Sequence, residues 1–340
     1  MKVIIPLAGF GKRMRPHTWS KPKPLLNVAG KPVLGHILDR LVAQGEASRD
    51  LQLDEFIFIV GWLGEQIQEY YETSGYPYPA HYVEQKEMLG QAHAIWLARH
   101  LLGGPVLIIF VDTVFEADLS GLESSGLDGM LYVREVEDPR RFGVAVVGDD
   151  GLMTGLVEKP STFDNRLAVV GVYYIQDSAW LLRAIEELMA RDIQTKGEYY
   201  LADAFTLMIE QGARLGVRQV SVWEDCGTPR DVLKTNRYFL ENGQDNSSRA
   251  VTVDSVIRPP VYIAPSARVE HSIVGPYVTI AENSLVQHSI LRDSILDEGA
   301  TISDTMLESS LIGKDAVVRG RYRVLNVGDS SQVDFAQGHD

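Results

Sequence analysis

The sequence predicts an α/β domain on a doubly wound, mostly parallel sheet, followed by a parallel β-helix. Three observations carry this. Apolar runs alternate with helical-period segments through the first part of the chain, a glycine-rich turn closes the first run, and aliphatic residues recur every five or six positions from Ile263 onward. With 340 residues, 45% of them hydrophobic, the chain has the length for two domains and enough apolar content for a substantial core.

The first domain is expected to span 1–241. "KVIIP" reads as a buried strand, and "KPVLGHILDRLVAQG" places Val33, Leu34, Ile37, Leu38, Leu41 and Val42 at helical spacing before a glycine. The alternation continues with a strand "EFIFIV", a helix "LGEQIQEYYET", a short strand "HYVEQ", a helix "GQAHAIWLARHLL" and a buried strand "PVLIIFVD" ending at Asp112. Such alternation implies a sheet covered on both faces, with ligands bound at the carboxyl ends of its strands, where the opening loop and Asp112 fall.

From about residue 129 the pattern changes to strand pairs, "GMLYVREV", "GVAVVGDDG" and "VVGVYYI", mixed with two helices, "SAWLLRAIEELMAR" and "YYLADAFTLMIEQG". We read this part as an insertion supplying one wall of a pocket. "RLGVRQVSVW" then reads as a strand leading to "EDCGTP", and "PRDVLKTNRYFLEN" as the closing helix. The polar run "NGQDNSSR", residues 242–249, reads as a linker. Beyond it, Ile263, Val269, Val274, Ile280, Val286, Leu291, Leu296, Ile302, Leu307, Ile312 and Val318 set the period of a β-helix over 250–330, with about three coils.

Charge and cysteine content narrow the function classes. A net charge of −14 disfavours a general nucleic-acid binder, which needs many clustered cations. No apolar run approaches membrane-spanning length, so we expect a cytoplasmic protein without a membrane partner. Cys226 is the single cysteine, which excludes an internal disulfide and a cysteine metal cluster. Lying beside Asp225, it is expected to be a packed small residue. The eight histidines show no metal-ligand spacing and are expected mostly at the surface.

The stretch "LAGFGKRMRPHTWSKPKPLLNV", residues 7–28, gathers Gly9, Gly11, Lys12, Arg13 and Lys23 directly after the first strand. A P-loop would need Ser or Thr after its lysine, where Arg13 stands, and a glycine at Pro6. A dinucleotide fingerprint would need a third glycine at Met14 and an immediate helix, which Pro16, Pro22 and Pro24 oppose. The surviving reading is a loop whose backbone N–H groups approach a polyphosphate, backed by Arg13, with Lys23 on a proline-stiffened arm.

This ordered set of Gly9, Gly11, Arg13, Pro16, Thr18 and Pro22-Lys23-Pro24 resembles the signature of the sugar-1-phosphate nucleotidylyltransferases. The tail resembles the left-handed β-helix of the long-form glucose-1-phosphate thymidylyltransferases. Lys12 and Val111 depart from the family pattern, which has Thr and Gly there. The resemblance implies that Leu7, Gly9, Gly11 and Lys12 line the nucleotide, and that Arg13, Lys23 and Asp112 are catalytic. It also implies that Gln85 and Gly90 in "VEQKEMLGQAHAI" face the base, where a carboxamide suits the imide edge of uracil or thymine. Gly143 in "RRFGVAVV", Glu158 and Lys159 in "GLVEKPS", and Gly171 are implied at the sugar phosphate, with Glu198 near the sugar or capping a helix. Asp112 and Asp225 are implied to hold Mg²⁺, an ion that two carboxylates and water suit.

The implied reaction joins a nucleoside triphosphate, dTTP first and UTP second, to glucose 1-phosphate, releasing pyrophosphate. Two other classes stay open: a β-helix acyltransferase with His271 or His288 as general base, and a non-catalytic nucleotide-sugar-binding subunit. The β-helix is expected to mediate contacts in a homo-oligomer.

Overall fold

The computed structural model describes residues 1–48 and 51–320. The chain divides into two compact units, Met1–Gln244 and the residues from Asp245 onward. Within the first unit, β1 (Lys2–Pro6), α1 (Val33–Ala47), β2 (Glu55–Val60), α2 (Gly64–Thr73), β3 (Ala80–Glu84), α3 (Gln91–Leu97) and β4 (Val106–Ile109) follow in order. β1 lies between β2 and β4, and β3 adds beyond β2, all parallel. Alternate residues point to opposite faces of a strand, yet Val3, Ile4, Ile5, Phe56, Ile57, Phe58, Leu107 and Ile108 are all fully buried. Both faces of the sheet are therefore covered, as its apolar strands require.

β5 (Thr113–Glu116) is followed by β6 (Gly129–Glu135), β7 (Gly143–Val147), β8 (Met153–Glu158) and β9 (Leu167–Ile175). The sheet runs β8–β7–β9–β4–β1–β2–β3, with β6 beside β9 and β10 (Leu215–Gln219) beside β6, nine strands among the described residues. The segment expected as an insertion is thus continuous with the main sheet. β9 joins it antiparallel, its C-terminal half on β4 and its N-terminal half on β7. α4 (Ser178–Ala190) and α5 (Leu201–Glu210) pack Leu181, Ile185, Leu188, Ala204, Phe205 and Met208 into the core formed with Ile4, Ile57 and Ile108.

Two strand boundaries differ from expectation. The apolar run to Asp112 does not continue as one strand: β4 stops at Ile109, the Phe110 N–H donates to Gly171 O (2.8 Å), and Asp112 lies exposed on a turn before β5. "RLGVRQVSVW" is likewise two strands, because after β10 the chain leaves the large sheet and β11 (Val222–Asp225) pairs antiparallel with β5. α6 (Pro229–Phe239) closes the unit, capped by Thr228.

Histidines are not all at the surface. His36 is buried on α1, its Nε2 2.7 Å from Val28 O and its ring stacked on Phe239 at 3.8 Å between centroids. Burial lowers its pKa to about 4.

The second unit is a parallel β-helix. Among the described residues its strands form three parallel sheets of four, so each face carries four rungs rather than the three expected. Ile263, Val269, Val274, Ile280, Val286, Leu291, Leu296 and Ile302 are buried in its core, and Leu307, Ile312 and Val318 pack against them. Each fully buried aliphatic side chain contributes roughly 1.5–3 kcal/mol. At one corner the Ser272, Ser289 and Thr305 N–H groups donate to the hydroxyls of Ser255, Ser272 and Ser289 in the preceding coils, at 3.0, 3.1 and 3.2 Å. His271 and His288 stack on consecutive coils, ring centroids 5.1 Å apart. The last part of the expected β-helix, 321–330, lies outside the described residues.

Candidate active site

The opening loop leaves β1 at Pro6, and the Leu7 N–H donates to Ile59 O (2.7 Å). Gly11 is left-handed (φ +59°), and a Cβ there would stand 3.1 Å from both Lys23 Cβ and Thr18 Cγ2. Glycine therefore serves two needs: the backbone turn, and the close approach of the arm carrying Lys23. Thr18 Oγ1 donates to Gly11 O (2.9 Å), tying the arm down. Only two short 3₁₀ turns form here, Lys12–Met14 and Lys23–Leu25, consistent with the prolines. The Lys12 ammonium sits 5.7 Å from the centroid of the Phe10 ring.

These residues line a cleft of about 530 Å³. Leu7, Gly9, Gly11 and Lys12 form one side, with Arg13 and Lys23 beside them, and Gln85, Gly90, Asp112 and Glu198 complete it. Gln85 is buried. Its Nε2 donates to Gly90 O (3.2 Å) and lies 3.5 Å from His93 Nδ1. Burial lowers the His93 pKa, which favours the neutral ring. With Nε2 engaged by Gly90 O, Oε1 is an acceptor the carboxamide can offer a ligand.

A second cavity, about 600 Å³, adjoins the first, and Arg13, Gln91, Phe110 and Asp112 border both. Gly143, Glu158, Lys159 and Gly171 line it. Gly143 and Glu158 pair across β7 and β8, and a Cβ on Gly143 would come 2.9 Å from Glu158 Oε2. Lys159 Nζ donates to Glu158 Oε1 (2.6 Å), a bond that raises the lysine pKa, and lies 5.8 Å from the Tyr200 ring centroid. Gly171 (φ +87°) occupies an irregularity in β9 where a Cβ would meet Phe110 at 3.1 Å.

The two carboxylates come together through the β5–β11 ladder. Asp225 pairs with Thr113, and the next N–H, from Cys226, donates to Asp112 O (2.9 Å). Thr228 rather than Asp225 caps α6, and Asp225 Oδ1 accepts from Gly227 N (2.6 Å). Its pKa is raised, by burial first and then by the Asp231 and Asp112 charges. Two mutually repelling oxygen donors fit a divalent cation, whose remaining positions water and phosphate would fill. Among the described residues no group of three or more His, Cys, Asp or Glu side chains could hold a metal. Cys226 is buried against Thr235, and burial pushes its thiol up to about 12, the opposite of a reactive thiol.

Sequence reasoning missed Arg140, Arg141, Phe142, Tyr200 and Trp223, which also line the second cavity. "RRF" and "EYY" flank residues that were singled out, and that adjacency was the available signal.

Taken together, this is an α/β enzyme fold with one bipartite, cation-rich groove at the carboxyl ends of β1, β3 and β4. Residues 2–242 match the nucleotidyl transferase family, and the chain belongs to it. It is 30% identical over 370 residues to a glucose-1-phosphate thymidylyltransferase of Streptomyces griseus, covering 99% of this chain and all of that protein. The low-salt glycan biosynthesis nucleotidyltransferase Agl11 of Haloferax volcanii is 31% identical over 275 residues, 78% of this chain and 74% of that one. The bifunctional protein GlmU of Methanococcus vannielii is 30% identical over 248 residues, 71% of this chain. The chain spans 54–62% of the length of the GlmU relatives it matches. In fold it is similar to a crystal structure of UDP-glucose pyrophosphorylase complexed with UDP-glucose, with a TM-score of 0.60, 20% identity, and coverage of 71% of this chain and 98% of that one. No helix among the described residues is long and apolar enough to cross a membrane.

Proposed function

We propose that the chain transfers a nucleotidyl group from a nucleoside triphosphate to a sugar 1-phosphate. The observation that carries this reading is the pair of adjoining cavities. One ends in the Gly11, Arg13 and Lys23 loop, the other in Lys159, and they meet at Arg13 and Asp112. Two highly anionic substrates need charge neutralisation and alignment more than a protein nucleophile.

In this reading the backbone at Gly9 and Gly11 receives the triphosphate, while Arg13 and Lys23 balance its charge. Lys159, oriented by Glu158, holds the sugar phosphate, and Gly143 and Gly171 let the sugar ring lie against main chain. A phosphate oxygen of the sugar 1-phosphate attacks the α-phosphorus in line. A new P–O bond forms, the α–β bridging bond breaks, and pyrophosphate leaves with the electron pair. Asp112 and Asp225 would hold Mg²⁺, which supplies charge neutralisation and alignment of the phosphates when bound.

Oε1 of Gln85 can accept a base N–H, which the imide of thymine or uracil supplies at N3. We therefore rank dTTP first and UTP second, and take glucose 1-phosphate as the acceptor by likeness to the Streptomyces griseus relative. A reaction fed by nucleoside triphosphates belongs in the cytoplasm, and we assign the β-helix to contacts between copies of the chain.

The test is pyrophosphate release with Mg²⁺, pairing dTTP, UTP, CTP, GTP and ATP with glucose 1-phosphate and a panel of other sugar 1-phosphates. Sugar-dependent release with dTTP or UTP is the expected result. Triphosphate binding without release from any pair would overturn the transferase reading in favour of a nucleotide-sugar-binding subunit.

A further inference from the structure

Phe10 and Lys12 stand on either side of left-handed Gly11, and both line the first cavity. The turn that carries Lys12 is fixed from below: the Met14 N–H donates to Gly11 O (2.8 Å), and the Met14 side chain is fully buried. Lys12 itself is exposed. Among the described residues no carboxylate pairs with its ammonium, which lies instead against the Phe10 ring, 40% exposed, at 5.7 Å from the centroid.

The neighbouring cations are placed differently. Arg15 stacks on Trp19, 3.8 Å from its ring centroid, and lines neither cavity. Arg13 borders both cavities, at the junction where the α-phosphorus would be attacked, whereas Lys12 lines the first alone. Lys12 therefore stands on the side of the junction away from the acceptor, where the β- and γ-phosphates of a triphosphate bound over Gly9 and Gly11 would lie. The space there is open, since a Cβ on Gly9 would meet nothing within 4 Å. A lysine is a flexible point charge, and ordering it from solvent costs rotamer entropy. An aromatic face attracts the ammonium without neutralising it, which lowers that cost and leaves the charge for a phosphate.

We propose that Lys12, held at the cleft by the positioning residue Phe10, selects for the β- and γ-phosphates of the triphosphate and holds pyrophosphate after the α–β bond breaks. The inference rests on the transferase reading and adds to it the determinant that separates a triphosphate from a diphosphate. Pyrophosphate then competes with the triphosphate for the same cation.

Binding of inorganic pyrophosphate, dTTP and dTDP to the full chain, without acceptor, tests this apart from turnover. Both side chains are exposed, so neither substitution below removes core packing. Lys12→Thr is expected to weaken pyrophosphate and dTTP about 10-fold and dTDP less than about 3-fold, with a shallower salt dependence of dTTP binding and an unchanged KM for the sugar 1-phosphate. Phe10→Leu keeps apolar bulk without the ring. It is expected to weaken pyrophosphate about 3-fold when Lys12 is present and not at all beside Lys12→Thr. Equal losses of dTTP and dTDP in Lys12→Thr, or a Phe10→Leu effect that persists without Lys12, overturn the proposal and leave the transferase reading standing. A wild type that releases no pyrophosphate from any substrate pair overturns the transferase reading, while the three binding constants still decide the role of Lys12.

Discussion

Acidification should remove stability from the Met1–Gln244 unit through His36. The imidazole is 4% exposed and stacked on Phe239, and its pKa is lowered to about 4, mainly by burial. Nε2 faces Val28 O at 2.7 Å, so Nε2 carries a hydrogen and donates it to that carbonyl. An unfolded histidine titrates near 6.5, so below that pH the unfolded state binds more protons than the native one. Stability therefore falls as pH drops through the window between about 6.5 and 4. Between pH 7.5 and pH 5.0 the loss is about 2 kcal/mol, rising to about 3 kcal/mol below pH 4. All five tryptophans, Trp19, Trp62, Trp96, Trp180 and Trp223, lie in this unit, so urea unfolding followed by tryptophan fluorescence reads it selectively. Other groups also titrate, and the comparison that isolates His36 is with His36→Gln, which keeps a side-chain donor for Val28 O. Wild type should lose about 2 kcal/mol more than the variant over that pH change. Equal losses in the two proteins would refute the argument.

Lys23→Ala and Asp225→Ala should each cut pyrophosphate release by about 100-fold or more while circular dichroism stays unchanged; a fully active Asp225→Ala would remove its metal role. Gln85→Glu replaces both amide donors with an acceptor facing Gly90 O. It should lower kcat/KM for dTTP and UTP by about 10-fold and leave the KM for the sugar 1-phosphate alone; an unchanged ranking of the five triphosphates would contradict the base-edge assignment. Gly275→Ala places a Cβ 1.9 Å from Arg258 O at φ +104°, and should cost the β-helix at least about 2 kcal/mol, seen as an earlier loss of β-sheet signal on heating.

What the sequence discloses is set by how local its cause is. The β-helix was legible because three faces per coil impose a step of five or six, and every aliphatic residue on that step packs in its core. The buried strands of the first unit were legible for the same reason. The break after Ile109 was not, since "IIFVD" carries no local stop signal and the pivot is the bond from Phe110 to Gly171. The glycines, cations and carboxylates of the groove stood out as residue types. That Asp112 and Asp225 lie side by side depends on the β5–β11 ladder, and that Gly90 meets Tyr199 depends on a contact between distant parts of the chain. For His36 the signal was present and passed over: it lies three residues after Val33 on the apolar side of α1, where a histidine is buried with its neighbours.

The serine corner of the β-helix makes chain length a counted quantity. Each hydroxyl accepts a hydrogen bond from the residue 16 or 17 positions later, so one coil is a repeating length that the next must match in phase. A whole coil can be inserted or removed and every inward aliphatic still meets its counterpart. A half-coil change would rotate the following faces outward and strand the hydroxyls. Evolution of this unit should therefore proceed by whole turns of the solenoid, lengthening or shortening it without redesigning any rung that stays.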